Sequence, residues 1–492
     1  MNLCDLLSRS ADRHSARTAV SIDEQHLTYA QLENLSGRAA ALLAAWGVAP
    51  GDRVAVMLPN MLEFPVLYYG VLRAGAIVVP MNPLLKSREV AHYLKDSGAR
   101  LIFAFGPSAD EATAGAAGTN ARVVRITAGS LDTLLAEHEE SAPSIAGDQD
   151  DTAVILYTSG TTGVPKGAEL THANLVRNAD LTARSLFALT PDDSVMGCLP
   201  LFHAFGQTCA MNAAVGAGAR LVLLSRFEPA AALETIARER MTIFEGVPTM
   251  YASLLGADHD GIATSSLRLC VSGGSALPVE VLHAFEAAFD CPVLEGFGMS
   301  ETSPVVSFNH PHKPRKAGSI GTPVEGVEMR LVDEKDGVGE LCLRGHNVMK
   351  GYWGRPEATA ETIRDGWLHT GDLARVDADG YYFIVDRKKD LVIRGGFNVY
   401  PREMEEVLYE HPAVAEAAVL GIPHATLGEE VAAAVALRPG SGTTAEEIKE
   451  FMKERVAPYK YPREVWILDA LPKGATGKIL KREIVRPEPE RR

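Results

Sequence analysis

The sequence predicts an α/β protein: a large N-terminal body of layered α/β sheets with a small β-rich subdomain, then a small mobile α+β C-terminal domain. Three observations carry this reading. Short β-branched runs alternate with longer amphipathic ones through most of the first 300 residues, the pattern of layered architecture with largely parallel sheets. After about Pro314 short strands separated by Gly and Asp turns take over. Beyond the charged run Asp386-Arg387-Lys388-Lys389-Asp390 the remaining residues show an α+β pattern of their own, which sets the expected domains at 1–385 and 386–492 with the charged run as a hinge.

The elements follow in chain order. Tyr29 to Trp46 is a helix, opened by a Thr28/Gln31 capping box and closed by Gly47 at C′. Arg53 to Leu58 and Ile77 to Pro80 read as buried strands, with helical spacing from Glu63 to Arg73 between them. Ala153 to Tyr157, Arg220 to Leu224, Thr242 to Phe244 and Leu267 to Val271 continue the strand series. In the later region Glu328 to Val332, Gly339 to Arg344 and Tyr381 to Val385 are short strands, and Thr444/Glu447 is a capping box before the apolar face of Ile448, Phe451 and Met452.

Composition narrows the function. The chain has 492 residues, 46% of them hydrophobic and 23% charged, ordinary values for a soluble globular protein with about three domains' worth of length. A formal net charge of -15 argues against a nucleic-acid partner, whose phosphates call for clustered Lys and Arg. The six cysteines show no CxxC or zinc-ligand spacing, so buried thiols in a reducing compartment are expected. The first residues lack the basic start and apolar core of a signal peptide, and the stretch Phe64 to Pro80, broken by Arg73 and two glycines, is too short to span a bilayer. A cytoplasmic monomer or homodimer is the expectation.

Several short strings carry chemistry. Tyr157-Thr158-Ser159-Gly160-Thr161-Thr162-Gly163-Val164-Pro165-Lys166-Gly167 follows a strand directly. Its glycines can turn backbone N–H groups inward, its hydroxyls add donors and Lys166 adds positive charge, the parts of a phosphate cradle. It does not meet the GxxxxGK[ST] pattern, and on composition alone a solvated linker is an equal reading. His203, in Pro200-Leu201-Phe202-His203-Ala204-Phe205-Gly206, falls between a strand-like run and a helix, where a histidine is more often a satisfied core residue. Gly273-Gly274-Ser275-Ala276-Leu277-Pro278 is a tight turn into a helix. Gly296-Phe297-Gly298-Met299-Ser300-Glu301-Thr302 sets an aromatic ring between two glycines, free to lie on a base, and follows it with hard oxygens suited to Mg²⁺. Asp372 in His369-Thr370-Gly371-Asp372 is either a local cap or a carboxylate for ribose hydroxyls. Gly395-Gly396 and Lys473-Gly474-Ala475-Thr476-Gly477-Lys478 are glycine-rich basic loops of the small domain.

Thr158 to Lys166, continuing to His172, resembles the signature loop of the AMP-forming adenylating superfamily, and the other strings match further motifs of that family in the family's order. The wording of Gly298 to Val305 and Ile393 to Gly396 is most similar to fatty acyl-CoA ligases. The resemblance implies that ATP is bound by Thr158, Ser159, Gly160, Thr161, Thr162, Gly163, Lys166, Gly274, Ser275, Glu295, Gly296, Phe297, Gly298 and Ser300, with Asp372 and Arg387 on the ribose. It implies Mg²⁺ on Glu301 and Thr158, and a catalytic set of Lys478, His203 and Glu301. It places Arg394, Gly395 and Gly396 along the coenzyme A channel, where many coenzyme A ligases carry a lysine at the position of Ile393. Phe297 stands where the family usually has tyrosine; stacking does not need the missing hydroxyl.

The chemistry suits these parts. A carboxylate attacking the α-phosphate brings anions together, so positioning and charge neutralisation must supply most of the rate. A thiol then attacks the mixed anhydride and AMP leaves, with no need of an enzyme nucleophile. The resemblance further implies that the small domain swings about Asp386 between these steps, exchanging Lys478 for Gly395-Gly396. Phe202, His203, Ala204, Phe205, Gly274, Met299 and Val305 border the expected acyl pocket, with no basic residue to hold a second carboxylate. The expected substrate is therefore an apolar monocarboxylic acid, a medium- or long-chain fatty acid first and a 4-coumarate-type aryl acid as the alternative. Loading of a separate carrier protein, a luciferase-like oxygenase and a non-catalytic nucleotide binder remain competing classes.

Overall fold

The computed structural model describes residues 1–138, 145, 147–158, 164–259 and 261–487. Two large sheets build the N-terminal body. One runs in the order Thr322–Pro323, Val305–Phe308, Val293–Gly298, Leu269–Ser272, Ile243–Gly246, Ser194–Gly197, Arg220–Leu223, Thr18–Ile22, Gln25–Thr28. Its strands from Val293–Gly298 across to Thr18–Ile22 are parallel, and both flanks are closed by antiparallel strands. The other runs Gly351–Tyr352, Lys166–Thr171, Thr152–Thr158, Ile77–Pro80, Arg53–Met57, Leu101–Phe105, Arg122–Ile126, parallel except for its first two strands. Parallel strands need helical cover on both faces, which explains their near-continuous apolar sequences.

The helix Tyr29–Ala45 begins with the expected capping box at Thr28 and Gln31, and Gly47 follows it with φ +77°. It packs on the wholly buried helix Glu63–Arg73, where Gly70 lets the axes approach: a Cβ there would lie 2.6 Å from that of Ala39. A smaller antiparallel sheet of Val327–Lys335, Val338–Gly345, Trp367–Val376, Ile363–Arg364 and Tyr382–Arg387 closes the body. The C-terminal sheet joins Phe397–Val399, Val392–Arg394, Gly428–Leu437, Val414–His424 and Glu464–Leu468 around its own core of Val399, Met404, Leu408, Val419 and Ile448. The Thr444/Glu447 capping box is present at Ala445–Arg455. All six cysteines are buried. Among the described residues no helix is long and apolar enough to cross a membrane.

Two local features shape the site. Gly296-Phe297-Gly298 forms the end of the strand Val293–Gly298, paired antiparallel with Val305–Phe308. The glycines serve close approach: a Cβ on Gly298 would sit 2.1 Å from the Pro304 carbonyl oxygen, and one on Gly296 2.6 Å from the Phe308 ring. The charged run at 386–390 is partly built into the fold. Asp386 and Arg387 finish a strand, and Asp386 is buried, its carboxylate accepting the N–H groups of Arg387 at 2.7 Å and Arg402 at 2.9 Å.

Candidate active site

A cavity of about 440 Å³ opens between the body and the C-terminal domain, walled by Gly274, Ser275, Glu295, Phe297, Asp372, Arg387 and Lys478 among others. The turn at Gly273–Gly274 and the end of the strand Val293–Gly298 form one side, because parallel strands end together and leave a crevice beyond their C-terminal edges. The strand pair Trp367–Val376 and Tyr382–Arg387 forms the opposite side. Its register sets Asp372 across from Arg387, and the guanidinium Nε lies 3.2 Å from the Asp372 carboxylate. Asp372 is only 5% exposed; burial raises its pKa, against the pull of Arg387 and Lys478. The Gly371 turn is held from behind by Glu340, which accepts its N–H at 3.2 Å and meets Lys388 at 3.2 Å.

Lys478 reaches this cavity from the C-terminal domain on a small hairpin, with a bridge between Lys473 and Ile479 and the Gly474 N–H donating to the Lys478 carbonyl at 2.8 Å. Gly477 takes φ +78°, and its carbonyl accepts the Thr249 hydroxyl of the body at 2.9 Å. Burial, with the charge of Arg387, lowers the lysine to about 8, while Asp372 and Asp390 oppose the shift. A second tie between the domains runs from the Val279 N–H to the Glu406 carboxylate at 3.3 Å. Glu295, in the same cavity, is pushed up to about 7 by burial although Arg402 and two backbone N–H groups favour its charge.

Beside this cavity lies a smaller chamber of about 50 Å³, lined by Phe187, His203, Phe205, Cys209, Val271, Ser272, Met299, Val305 and Phe308. Gly274, Gly296, Phe297, Gly298 and Met299 face both spaces, so the two meet there. His203 stands in the chamber wall; burial and the charge of Lys478 hold its imidazole down to about 4, a neutral ring at ordinary pH. The rings of Phe187 and Phe308, both in the chamber wall, have centroids 6.0 Å apart.

On the body's other sheet, the buried Glu301 carboxylate accepts the Thr158 hydroxyl at 3.2 Å and the Tyr352 hydroxyl at 3.0 Å, through the same oxygen. The Lys166 ammonium lies 5.2 Å from the centroid of the Tyr352 ring. Among the described residues no three His, Cys, Asp or Glu side chains group as a metal cage. One carboxylate and one hydroxyl nevertheless suit Mg²⁺, which commonly takes one or two carboxylates and completes its shell with phosphate oxygens and water.

Not every expected residue converges on these spaces. Ser159, Gly160, Thr161, Thr162 and Gly163 lie outside the described residues. Phe202 is absent from the chamber wall and instead packs half-buried against the main core. Ser300 begins a 3-10 turn next to Glu301 and faces neither space. Arg394 is paired with Glu430, and Gly395 and Gly396 take φ +56° and +87° in a loop that does not border the cavity. Sequence reasoning missed Tyr352, Thr249, Glu340 and Arg402. Gly351-Tyr352-Trp353 offers an aromatic signal, but nothing in the sequence says that a strand of two residues would pair beside Lys166–Thr171 and bring that hydroxyl to Glu301.

The fold and the paired cavities define an enzyme of the adenylate-forming architecture. A family model described as AMP-binding enzyme matches residues 7–353, and one described as AMP-binding enzyme C-terminal domain matches residues 403–478. A feruloyl-CoA synthase of Amycolatopsis sp is 40% identical over 485 residues, covering 95% of each chain. A long-chain-fatty-acid–CoA ligase of Bacillus subtilis (strain 168) is 36% identical over 530 residues, covering 99% of this chain and 95% of the other. Among solved structures, the anthranilate CoA ligase AuaEII in complex with anthranoyl-AMP superposes with a TM-score of 0.92 at 31% identity, over 97% of this chain and 95% of its own. The chain belongs to the AMP-binding enzyme family.

Proposed function

We propose that this enzyme activates a compact, ring-sized monocarboxylic acid as its adenylate and passes the acyl group to coenzyme A. The observation that carries the substrate class is the small chamber walled in part by His203. At about 50 Å³ it is about a third of the roughly 150 Å³ apolar cavity known to take a benzene ring, so a compact acid needs a modest widening of it and a long chain a far greater one. Its walls offer no lysine or arginine and only a neutral histidine, which disfavours a second carboxylate. This reading takes the aryl alternative ahead of the medium- or long-chain acid. The long-chain reading draws on motif wording and on the Bacillus subtilis relative, and requires Phe187 or Phe308 to move aside.

In this reading the acid lies with its ring in the chamber and its carboxylate at the junction, facing Lys478 and neutral His203. ATP fills the larger cavity with its base against Phe297 and its ribose hydroxyls on Asp372 and Arg387. Glu301 and Thr158 would hold Mg²⁺, which supplies charge neutralisation to the phosphates. The carboxylate oxygen attacks the α-phosphorus, the bond to the β-phosphate oxygen breaks, and pyrophosphate leaves. Lys478 lowers the barrier by drawing together the attacking carboxylate and the α-phosphate; its own desolvation strengthens that attraction. In the second step a coenzyme A thiolate attacks the acyl carbon and AMP departs with the bridging oxygen. For that step the C-terminal domain, from 386 onward, turns about Asp386, withdrawing Lys478 and bringing Arg394, Gly395 and Gly396 to the opening.

The test is a product assay for AMP and acyl-CoA across straight-chain acids from acetate to oleate and across benzoates and cinnamates, with and without coenzyme A. The proposal predicts coenzyme A-dependent turnover highest among ring acids. Activity that rises with chain length sinks the compact-acid reading. Adenylate formation that ignores coenzyme A and responds to a carrier protein sinks the ligase reading.

A further inference from the structure

One buried carboxyl group has no role in the chemistry above. Glu245 lies in the strand Ile243–Gly246, and its residue is 0% exposed. Neither carboxyl oxygen has a hydrogen-bond partner among the described residues. A buried unpaired polar group costs free energy, so its presence calls for a partner that arrives later.

The strand's geometry says where that partner would arrive. Phe244 points to the core containing Tyr251 and Phe285, while Ile243 joins the opposite core. Alternation puts Glu245 on the Ile243 face. Its register partner there is Val271, one strand spacing away at about 4.8 Å, and Val271 lines the inner chamber. Cys209, which also lines the chamber, lies close enough that Glu245 contributes to raising its thiol. An unsatisfied carboxyl group thus lies one strand behind the Val271 wall of a mostly apolar chamber.

Resting on the compact-acid reading above, we infer that Glu245 forms a polar subsite that reads a hydroxyl on the part of the acid remote from its reacting carboxylate. Glu245 is buried with no cationic side chain favouring its charge, so burial keeps it protonated above the ordinary carboxylate range. A neutral carboxylic acid both donates and accepts, which suits a hydroxyl and gives an anionic substituent no countercharge. Glu245 would thereby serve as a specificity-determining residue with no part in the bond-making steps.

The experiment compares kcat/KM for matched pairs, 4-hydroxybenzoate against benzoate and 4-hydroxycinnamate against cinnamate, in wild type, Glu245→Gln and Glu245→Met, with thermal melts of each ligand-free protein. The expected wild-type ratio favours the hydroxylated acid by at least about tenfold. The Gln variant, which still donates and accepts, keeps most of that preference. The Met variant brings the ratio to within about twofold of unity and does not lower the ligand-free melting midpoint, because it removes an unpaired polar group. Equal wild-type use of both members of each pair overturns the inference and leaves the compact-acid reading standing. A preference that survives Glu245→Met, or a Met variant that loses stability and slows both members alike, also overturns it. Wild-type ratios need no variant, so a Met variant that fails to fold does not shield the inference. Turnover of long straight-chain acids with none of the four ring acids would instead remove the reading on which it rests.

Discussion

Replacing Lys478 by alanine separates the two proposed half-reactions. The ammonium sits in the nucleotide-sized cavity, close enough to Asp372, Arg387 and His203 to perturb or be perturbed by each. At about 4 Å from a developing negative charge and an effective dielectric of about 20, one positive charge contributes about 4 kcal/mol. Mutations that remove a single preorganised donor commonly cost on the order of 100- to 1000-fold. Lys478→Ala should therefore slow adenylate formation by about 100- to 1000-fold, read as pyrophosphate release in a single turnover. Synthetic acyl-AMP mixed with coenzyme A should be converted at a rate within a few-fold of wild type, since AMP departs without the lysine. The folded state should survive, because Lys478 is a cavity-lining side chain and its loop is held by backbone bonds to Gly474 and Thr249. Equal loss in both half-reactions would refute the account of a lysine that acts in one step and withdraws from the next.

Other outcomes follow from the same geometry. The lowered pKa of Lys478, about 8, means that its cationic form is lost above that pH, so kcat/KM for adenylation should fall about tenfold per unit beyond pH 8 while thioester formation stays flat, measured as separate pH profiles. The same shift makes the docked loop bind fewer protons than the undocked one between about 8 and the ordinary 10.5, so alkaline pH should favour docking, measured as interdomain distance by a fluorescent pair. Tyr352→Phe removes the hydroxyl that donates to Glu301 and should cost about tenfold in adenylation with a raised Mg²⁺ requirement, checked by metal titration. Phe187→Ala should extend the accepted acid toward longer chains at a cost of about 3–5 kcal/mol in stability, checked by the acid panel and by denaturation.

Much of the fold was legible because it depends on local patterns. The parallel strands announced themselves as β-branched runs, since strands covered on both faces have no polar side to show. Thr28/Gln31 and Thr444/Glu447 marked helix starts, because a capping box is satisfied within four residues of chain. The site was legible differently. Asp372, Arg387 and Lys478 could be named from motif resemblance, yet their common cavity depends on a strand register and on a hairpin docking across domains. The need for glycine at Gly296 and Gly298 was not legible, because it is steric and comes from Phe308 and Pro304. Glu245 carried no signal at all: a single acidic residue in an apolar run gains meaning only once the chamber beside its strand is seen.

The central claim is that the acid is joined to AMP before coenzyme A takes part. Acid-dependent exchange of labelled pyrophosphate into ATP, run without coenzyme A, tests it most directly. The account predicts exchange with ring-sized monocarboxylic acids, little net AMP release until coenzyme A is added, and then stoichiometric acyl-CoA. Absence of exchange without coenzyme A, or ADP and phosphate as the products, would contradict it.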